Sequence, residues 1–149
     1  MATTVDHASS SPRVVKVLVL DDDPAFMELV KTVLALEPTI EVVGDAATME
    51  EGVAVALRLC PDVILADYRL PDGTGTMAAQ LIKLHNPATR VVVMSSSPAD
   101  AKAAAVAIGA RFLDKSWMRG GVLIDALIQA AVGSGWRPGA SLKNTERQR

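Results

Sequence analysis

Short apolar runs alternate with amphipathic segments along the whole chain. Five runs rich in Val, Leu and Ile are predicted to be strands buried on both faces, because their apolar residues are consecutive. The segments between them carry apolar residues three and four positions apart, which is typical of helices packed on one side. The predicted strands are residues 14–20, 40–43, 62–66, 90–94 and 111–113. The predicted helices are residues 24–37, 49–59, 76–85, 99–108 and one that contains 122–131.

The strict alternation of strands and helices predicts the fold class. Strands joined through helices pair in parallel, so we expect an α/β domain with a five-stranded parallel sheet that is doubly wound. Right-handed crossovers leave few arrangements, and the flavodoxin-like (β/α)5 strand order 2-1-3-4-5 is the common one at this size. In such a sheet, ligands bind beyond the carboxyl ends of the strands, where strands 1 and 3 diverge.

Composition limits the number of domains and the kinds of partner. A chain of 149 residues, half of them hydrophobic, suits one domain. We expect a flexible leader over residues 1–12, the domain over 13–133 and a flexible polar tail over 134–149, because both ends lack apolar residues to bury. The net charge of -2 and the absence of a long apolar run predict no attraction to nucleic acid or membrane.

Cysteine usage bears on the compartment. Cys60 is the only cysteine, so no intrachain disulfide can form, and a cytoplasmic location is expected. Because Cys60 ends a predicted helix before Pro61, we expect it to be a small buried apolar residue.

The residues with chemical potential stand at the carboxyl ends of the predicted strands. Asp21 and Asp22 follow the first strand and Asp67 the third, while Ser95 and Lys115 follow the fourth and fifth. Three neighbouring carboxylates repel one another. Mg²⁺ bound by Asp22 and Asp67 would relieve that repulsion and neutralise charge on an incoming phosphate. The pattern therefore indicates a magnesium-dependent phosphate site.

This constellation resembles the receiver domain of bacterial response regulators (CheY-like domains), the phosphoacceptors of two-component signal transduction. The acidic pair, the phosphorylation site, the switch hydroxyl, the switch aromatic residue and the lysine match in order. These positions are Asp21-Asp22, Asp67, Ser95, Phe112 and Lys115, and Pro71 and Gly75 follow Asp67 by four and eight residues as in the family. The resemblance covers nearly the whole domain.

The resemblance implies a role for each position. Asp67 would accept a phosphoryl group from the phosphohistidine of a sensor histidine kinase or a phosphotransfer protein. Mg²⁺ would be the cofactor, held by Asp21, Asp22, Asp67 and the backbone carbonyl of Arg69. Lys115 and Ser95 would contact the phosphoryl oxygens, and Phe112 would turn inward as Ser95 moves toward the phosphate.

The expected output is a switched protein-interaction surface. Helix 5 offers more apolar residues than a helix packed on one side requires, namely Leu123, Ile124, Leu127 and Ile128. A homodimer through helix 4, strand 5 and helix 5 is therefore expected. We also expect no enzymatic activity and no autonomous DNA binding, since no basic recognition helix is present in the sequence.

Two alternatives stay open at this point. Residues 37–44 resemble receivers attached to LuxR/NarL-type helix-turn-helix domains, so the chain is alternatively the truncated receiver of a transcription factor. Asp21 and Asp23 after an apolar strand also resemble the first motif of haloacid-dehalogenase-type phosphatases, with Asp21 as nucleophile and Asp23 as acid. That second family wants Thr or Val where Pro24 stands and leaves Asp67 without a role, so it is disfavoured.

Overall fold

The computed structural model describes residues 14–117 and 119–133. The expected leader and tail, residues 1–12 and 134–149, lie outside this part. The sheet strands are β1 (Val15–Leu20), β2 (Ile40–Ala46), β3 (Val63–Asp67), β4 (Arg90–Ser95) and β5 (Arg111–Asp114). The helices are α1 (Pro24–Ala35), α2 (Met49–Leu59), α3 (Gly75–His85), α4 (Pro98–Ala107) and α5 (Gly120–Gly133). A small hairpin joins Arg69–Leu70 to Gly73–Thr74, and a 3₁₀ turn spans Lys115–Trp117.

The sheet has the predicted topology. Its strand order is β2-β1-β3-β4-β5, and every neighbouring pair is parallel. One helix connects each strand to the next. The fold class expected from the sequence is therefore confirmed. Because all five strands run in the same direction, their carboxyl ends lie along one edge of the sheet.

The core consists of a layer on each face of the sheet. On β1, Val17 and Val19 pack with α1 and α5, whereas Leu18 and Leu20 pack with α2 and α3. All four side chains are fully buried. Burying a Val or Leu side chain stabilises a fold by about 1.5–3 kcal/mol. This two-sided burial explains why the strands are continuous apolar runs instead of alternating ones.

Two predicted helix boundaries follow from local chemistry. The Asp23 carboxylate accepts hydrogen bonds from the backbone N–H groups of Ala25 and Phe26, and Pro24 occupies the first helical position. At the end of α4, Gly109 adopts a left-handed conformation with φ 71°, and the following N–H of Ala110 donates to the carbonyl of Ala105 at 2.9 Å. Both the N-cap at Asp23 and the C-cap glycine are as predicted.

Strand β2 is three residues longer than the sequence indicates. The predicted strand ends at Val43, and the next two residues, Gly44 and Asp45, are types that strands disfavour. In the structure a register shift after Val17 lets Gly44, Asp45 and Ala46 pair with the last three residues of β1. Pairing with a fully buried neighbour thus overrides the local propensity.

The expectation that Cys60 is buried is wrong. Its side chain is exposed, and its backbone is left-handed with φ 49° at the C-cap of α2. The Cys60 N–H donates to the carbonyl of Ala56 at 2.8 Å, which closes the helix. Because the residue lies just past the helix, it does not continue the apolar stripe that packs on the sheet.

The loop after β3 is tied to the start of α2 by one carboxylate. Asp72 accepts hydrogen bonds from the backbone N–H groups of Met49 at 2.7 Å and Glu50 at 2.9 Å. Thr48 caps the next free donor, the N–H of Glu51, at 3.1 Å. The N–H groups of Glu50 and Met49 hold the pKa of the Asp72 carboxyl below its ordinary value of 3.8. The loop that contains Asp72 is therefore anchored to the first turn of α2, 23 residues earlier in the chain.

We expect Asp72→Ala to lower the melting temperature by about 2–5 °C, because two helix-terminal donors lose their acceptor. A carboxyl with a lowered pKa contributes stability above its unfolded-state pKa and loses it as pH falls through the lowered value. The difference in melting temperature between wild type and variant should thus be largest at and above pH 5 and should become smaller below pH 3.8. Thermal unfolding across pH measures this. Asp100→Ala, which removes an exposed carboxylate from the first turn of α4, is the control; an equal shift in the control would contradict the capping role.

Candidate functional site

Four of the predicted site residues lie at the carboxyl edge of the sheet. Asp21 follows β1 directly, Asp67 ends β3, Ser95 ends β4 and Lys115 follows β5. The pairing register keeps these ends together: Asp67 is opposite Met94, and Ser95 is opposite Asp114. The strands thus bring the carboxylates of Asp21 and Asp67, the Ser95 hydroxyl and the Lys115 ammonium to one edge of the sheet.

Three carboxylates form a compact group there. One oxygen each from Asp21, Asp22 and Asp67 lies within 4.8 Å of the others. Asp21 is buried, at 2% exposure, whereas Asp22 is exposed and Asp67 is partly buried. The sequence prediction that these three side chains converge agrees with the coordinates. Exposure thus increases from Asp21 through Asp67 to Asp22, so a ligand entering from solvent meets Asp22 and Asp67 first.

Lys115 bridges the two inner carboxylates. Its Nζ donates to Asp21 Oδ2 at 2.8 Å and to Asp67 Oδ2 at 3.0 Å. The same ammonium lies 4.2 Å from the centre of the Phe26 ring, a favourable cation–π distance. Sequence analysis missed Phe26. Its position in the first turn of α1, which begins at the same edge as the carboxylates, was the available signal.

Burial and pairing set the electrostatics of the triad formed by Asp21, Asp67 and Lys115. Burial raises the pKa of the Asp67 carboxyl above its ordinary 3.8, and the Lys115 ammonium, which acts in the opposite direction, does not offset it. For Lys115, burial lowers the pKa, but hydrogen bonds to Asp21 and Asp67 outweigh it and leave the pKa above 10.5. Lys115 is therefore charged at neutral pH, while Asp67 is a more basic carboxylate than a solvated one.

Backbone contacts orient the carboxylates. The N–H of Asp23 donates to Asp21 Oδ1 at 2.9 Å, and the N–H of Arg69 donates to Asp67 Oδ1 at 3.3 Å. Arg69 itself belongs to the small hairpin, opposite Thr74. The part predicted for its backbone carbonyl, a metal ligand, stays a prediction.

Gly75 lets α3 start directly behind Asp67. A Cβ at this position would overlap the backbone oxygen of Asp67 and lie 3.0 Å from Cβ of Ala66. The Gly75 N–H donates to the carbonyl of Tyr68 at 2.8 Å. This close approach explains physically why a glycine stands eight residues after Asp67.

Among the described residues, neither Ser95 nor Phe112 makes a hydrogen bond or ring contact with Asp21, Asp67 or Lys115. The Ser95 hydroxyl, in a residue 3% exposed, donates to the carbonyl of Ser97 and accepts from its N–H, both at 3.0 Å. Phe112 is half-buried and pairs with Val93 in the sheet. It packs on a small apolar cluster that contains Val93 and Ala105 of α4. The switch roles of both residues stay predictions.

The expectation that α5 exposes a surplus of apolar residues is mostly wrong. Leu123, Leu127 and Ile128 are buried at 2%, 0% and 7% exposure and belong to the core between the sheet, α1 and α5. Ile124 is partly buried against the same core. The helix is apolar on several sides because it packs on both the sheet and α1. Within its described residues, α5 offers two large apolar side chains to solvent, Val122 at 47% and Val132 at 39% exposure.

The geometry also bears on the phosphatase alternative. The side chain of Asp21 has no exposed area and is held by Lys115 and by the N–H of Asp23. The Asp23 carboxylate is engaged in capping α1. Neither residue is free for the nucleophile and acid roles that this alternative assigns, so the geometry disfavours it.

Comparison with known proteins decides the family. The profile of the response regulator receiver domain matches residues 17–127. The chain belongs to this family. Among solved structures, the receiver domain of NarL from Mycobacterium tuberculosis is 31% identical with a TM-score of 0.77, covering 82% of this chain and 99% of that one. The response regulator domain of Thermotoga maritima CheB is 30% identical with a TM-score of 0.73, covering 85% and 100%.

The curated relatives are longer proteins. The protein-glutamate methylesterase/protein-glutamine glutaminase of group 1 operon from Pseudomonas putida is 44% identical over 82 residues, which are 55% of this receiver chain and 22% of the relative. This chain spans less than a third of each such methylesterase relative. The expected resemblance to receiver domains is confirmed, and the LuxR/NarL likeness is compatible with the NarL match.

One expectation is corrected by these relatives. We expected the chain not to be an enzyme, and that exclusion is wrong, because several of the curated relatives it matches are named protein-glutamate methylesterase/protein-glutamine glutaminase, an enzyme. The matches cover the receiver part of those proteins.

The helices also bear on membrane insertion. Within residues 14–117 and 119–133, no helix is long and apolar enough to cross a membrane.

Proposed function

We propose that this receiver domain is a phosphoacceptor in which Asp67 takes a phosphoryl group from the phosphohistidine of a sensor histidine kinase or a phosphotransfer protein. The observation that carries the proposal is the triad at the sheet edge. Asp67 ends β3 beside two further carboxylates and 3.0 Å from the Lys115 ammonium. Membership of the receiver family supports the same assignment.

The proposed transfer uses the nucleophilicity of one carboxylate. An Asp67 oxygen attacks phosphorus, the bond between phosphorus and the donor histidine nitrogen breaks, and the imidazole leaves with that electron pair and takes up a proton. The product is an acyl phosphate on Asp67. Lys115 already lies within hydrogen-bond distance of Asp67, so its ammonium would contact the phosphoryl oxygens as they arrive. Ser95 would donate a second hydrogen bond after its contact with Ser97 is broken.

The three carboxylates suit Mg²⁺ as cofactor. Oxygens bound to one Mg²⁺ are about 3–4 Å apart, and those of Asp21, Asp22 and Asp67 lie within 4.8 Å, so small rotations suffice. The backbone carbonyl of Arg69 would complete the protein ligands. When bound, the ion neutralises charge on the transferred group. The Asp22 side chain makes no hydrogen bond within the described part of the chain and is exposed to an incoming ion.

Phosphoryl uptake from acetyl phosphate should require Mg²⁺, and Asp22→Ala should weaken both Mg²⁺ binding and the uptake rate by about tenfold or more, because one carboxylate ligand is lost. The fold should be as stable or slightly more stable, since one of three repelling charges is gone. Calorimetric titration with Mg²⁺ and intact-mass spectrometry measure the two effects. Glu28→Ala, an exposed carboxylate of α1, is the control. Wild-type Mg²⁺ affinity in Asp22→Ala would remove the metal assignment.

The proposed output is a change in the surface formed by α4, β5 and α5. Phe112 and Val106 line an open groove of about 760 Å³ between α4 and β5, and Val106 is 68% exposed. Movement of Ser95 toward a phosphate on Asp67 would free space for Phe112 to rotate and would reshape this groove. A second copy of the chain is the partner proposed for this surface, with the exposed Val106 and Val122 as its apolar contacts.

The phosphate mimic beryllofluoride, added with Mg²⁺, should therefore raise the dimer fraction and change amide exchange across residues 95–132. Sedimentation velocity and hydrogen-exchange mass spectrometry measure the two effects. Asp67→Asn, which offers the mimic no carboxylate, should stay unchanged. A constant mass would exclude dimerisation driven by phosphorylation, and constant exchange would exclude the switch as well.

A second proposal, supported by the likeness to the NarL receiver domain, is that this chain is the receiver of a helix-turn-helix transcription factor. This chain itself is proposed to have no autonomous DNA binding, because its net charge of -2 supplies little attraction for phosphates.

A further inference from the structure

A second cavity with its own chemistry lies at the opposite end of the sheet. Its volume is about 290 Å³, and it is bordered by the first residues of β4 and β5 and the last residue of α5. The length of β4 separates this end from the Asp67 edge by about 17 Å. The cavity is therefore independent of the phosphoacceptor triad.

The cavity is lined by three cationic side chains. Lys83 of α3, Arg90 of β4 and Arg111 of β5 border it, and no acidic residue is among its lining residues. None of the three forms an ion pair with a carboxylate in the described part of the chain. Positive charges gathered without a counterion repel one another, so an anion bound among them would relieve that repulsion. This concentration of positive charge contrasts with the overall charge of -2.

Arg90 supplies a second, independent observation. Its Nη2 donates to the carbonyl of Gly133 at 2.7 Å, which orients the guanidinium against the end of α5. Its Nε–H is buried and has no acceptor among the described residues. A buried donor on a charged group without a partner is costly, and native structures usually provide one. Oxyanions are the partners that a guanidinium prefers.

We propose that this cavity binds a small soluble oxyanion with two or more negative charges, a phosphate or carboxylate compound. Its volume is at the lower limit of small-molecule pockets, which suits a diphosphate or a tricarboxylate. A polymer such as DNA needs an extended positive face, and the cations here line one recess. Because the cavity lies between β4, β5 and α5, occupancy would connect the binding of a metabolite-sized anion to the elements proposed for output.

The test is calorimetric titration of the full chain with pyrophosphate, in chelator, so that no divalent ion occupies the carboxylate group. Arg111→Gln and Lys83→Gln should each weaken binding by about tenfold, the effect expected for one charge-assisted hydrogen bond. Arg58→Gln removes an exposed charge at the end of α2 and should leave the affinity within about twofold. Asp67→Asn should also bind normally. Amide chemical shifts should move at residues 109–111 and not at the Asp67 edge.

Citrate in place of pyrophosphate distinguishes the source of the oxyanion. Tighter binding of pyrophosphate assigns the cavity to phosphate compounds, and tighter binding of citrate assigns it to carboxylates. The proposal is overturned if neither ligand saturates. It is also overturned if Arg58→Gln loses as much affinity as Arg111→Gln, or if duplex DNA binds this surface while pyrophosphate does not.

Discussion

Asp67→Asn should reduce phosphoryl uptake from acetyl phosphate in Mg²⁺ to below about 1% of the wild-type rate, because an amide cannot attack phosphorus. The Asn side chain has the size of Asp and can still accept the N–H of Arg69, which donates to Asp67 Oδ1 in the wild type. The loss should therefore come from the missing nucleophile. Intact-mass spectrometry over a time course measures the adduct.

Stability measurements separate this loss from unfolding. Burial raises the pKa of Asp67, and a carboxyl with a raised pKa contributes stability below its unfolded-state value that is lost as pH rises through the folded value. In chelator at pH 7, Asp67→Asn should thus be at least as stable as wild type. Asp100→Asn, an exposed change of equal charge, should keep full uptake. An undiminished adduct in Asp67→Asn would move the proposed nucleophile to Asp21.

The gathering of the site residues was predictable from the sequence for a simple topological reason. In a sheet of parallel strands, any residue that directly follows an apolar run lies on one edge. Asp21 and Asp67 meet that condition, Lys115 stands two residues after the predicted strand, and its ammonium contacts both carboxylates. No knowledge of side-chain orientation was required, because the strand ends alone put them within reach.

Contacts between distant segments were not predictable in the same way. Asp72 caps α2, and no periodicity or motif in the sequence marks that contact. The start of α1 indicates that Phe26 lies near the site, but not that its ring contacts Lys115. The same limit explains the error on α5. In the sequence, Leu127 and Ile128 are part of an apolar segment of α5 that looks too wide for one packed face. Only the structure reveals that α5 packs on both the sheet and α1.

The charge balance of the triad leads to the last prediction. Lys115 Nζ contacts two carboxylates, and its side chain is 13% exposed, that of Asp21 0% and that of Asp67 14%. Removing a charge from a buried pair leaves its partner without compensation, whereas surface pairs contribute little. Lys115→Met keeps most of the aliphatic stem beside Phe26 and removes only the ammonium.

We expect Lys115→Met to lower the free energy of unfolding at pH 7 by about 2–4 kcal/mol in chelator, because Asp21 and Asp67 then repel each other in a desolvated site. The Lys115 ammonium lowers the pKa of Asp67, so in the variant that pKa should rise further. A raised carboxyl pKa means stability lost with rising pH, and the deficit relative to wild type should therefore shrink as pH falls from 7 toward 4. Urea unfolding at several pH values measures it.

Lys31→Met is the matched control for this experiment. Lys31 pairs with Asp45 on the surface, where the two side chains are 35% and 43% exposed. Its loss should change the free energy of unfolding by less than about 1 kcal/mol at every pH. If Lys115→Met and Lys31→Met have equal effects, the ammonium of Lys115 is solvated and does not hold the carboxylates together. A deficit that does not change with pH would instead mean that the loss comes from packing beside Phe26 and not from the charges of Asp21 and Asp67.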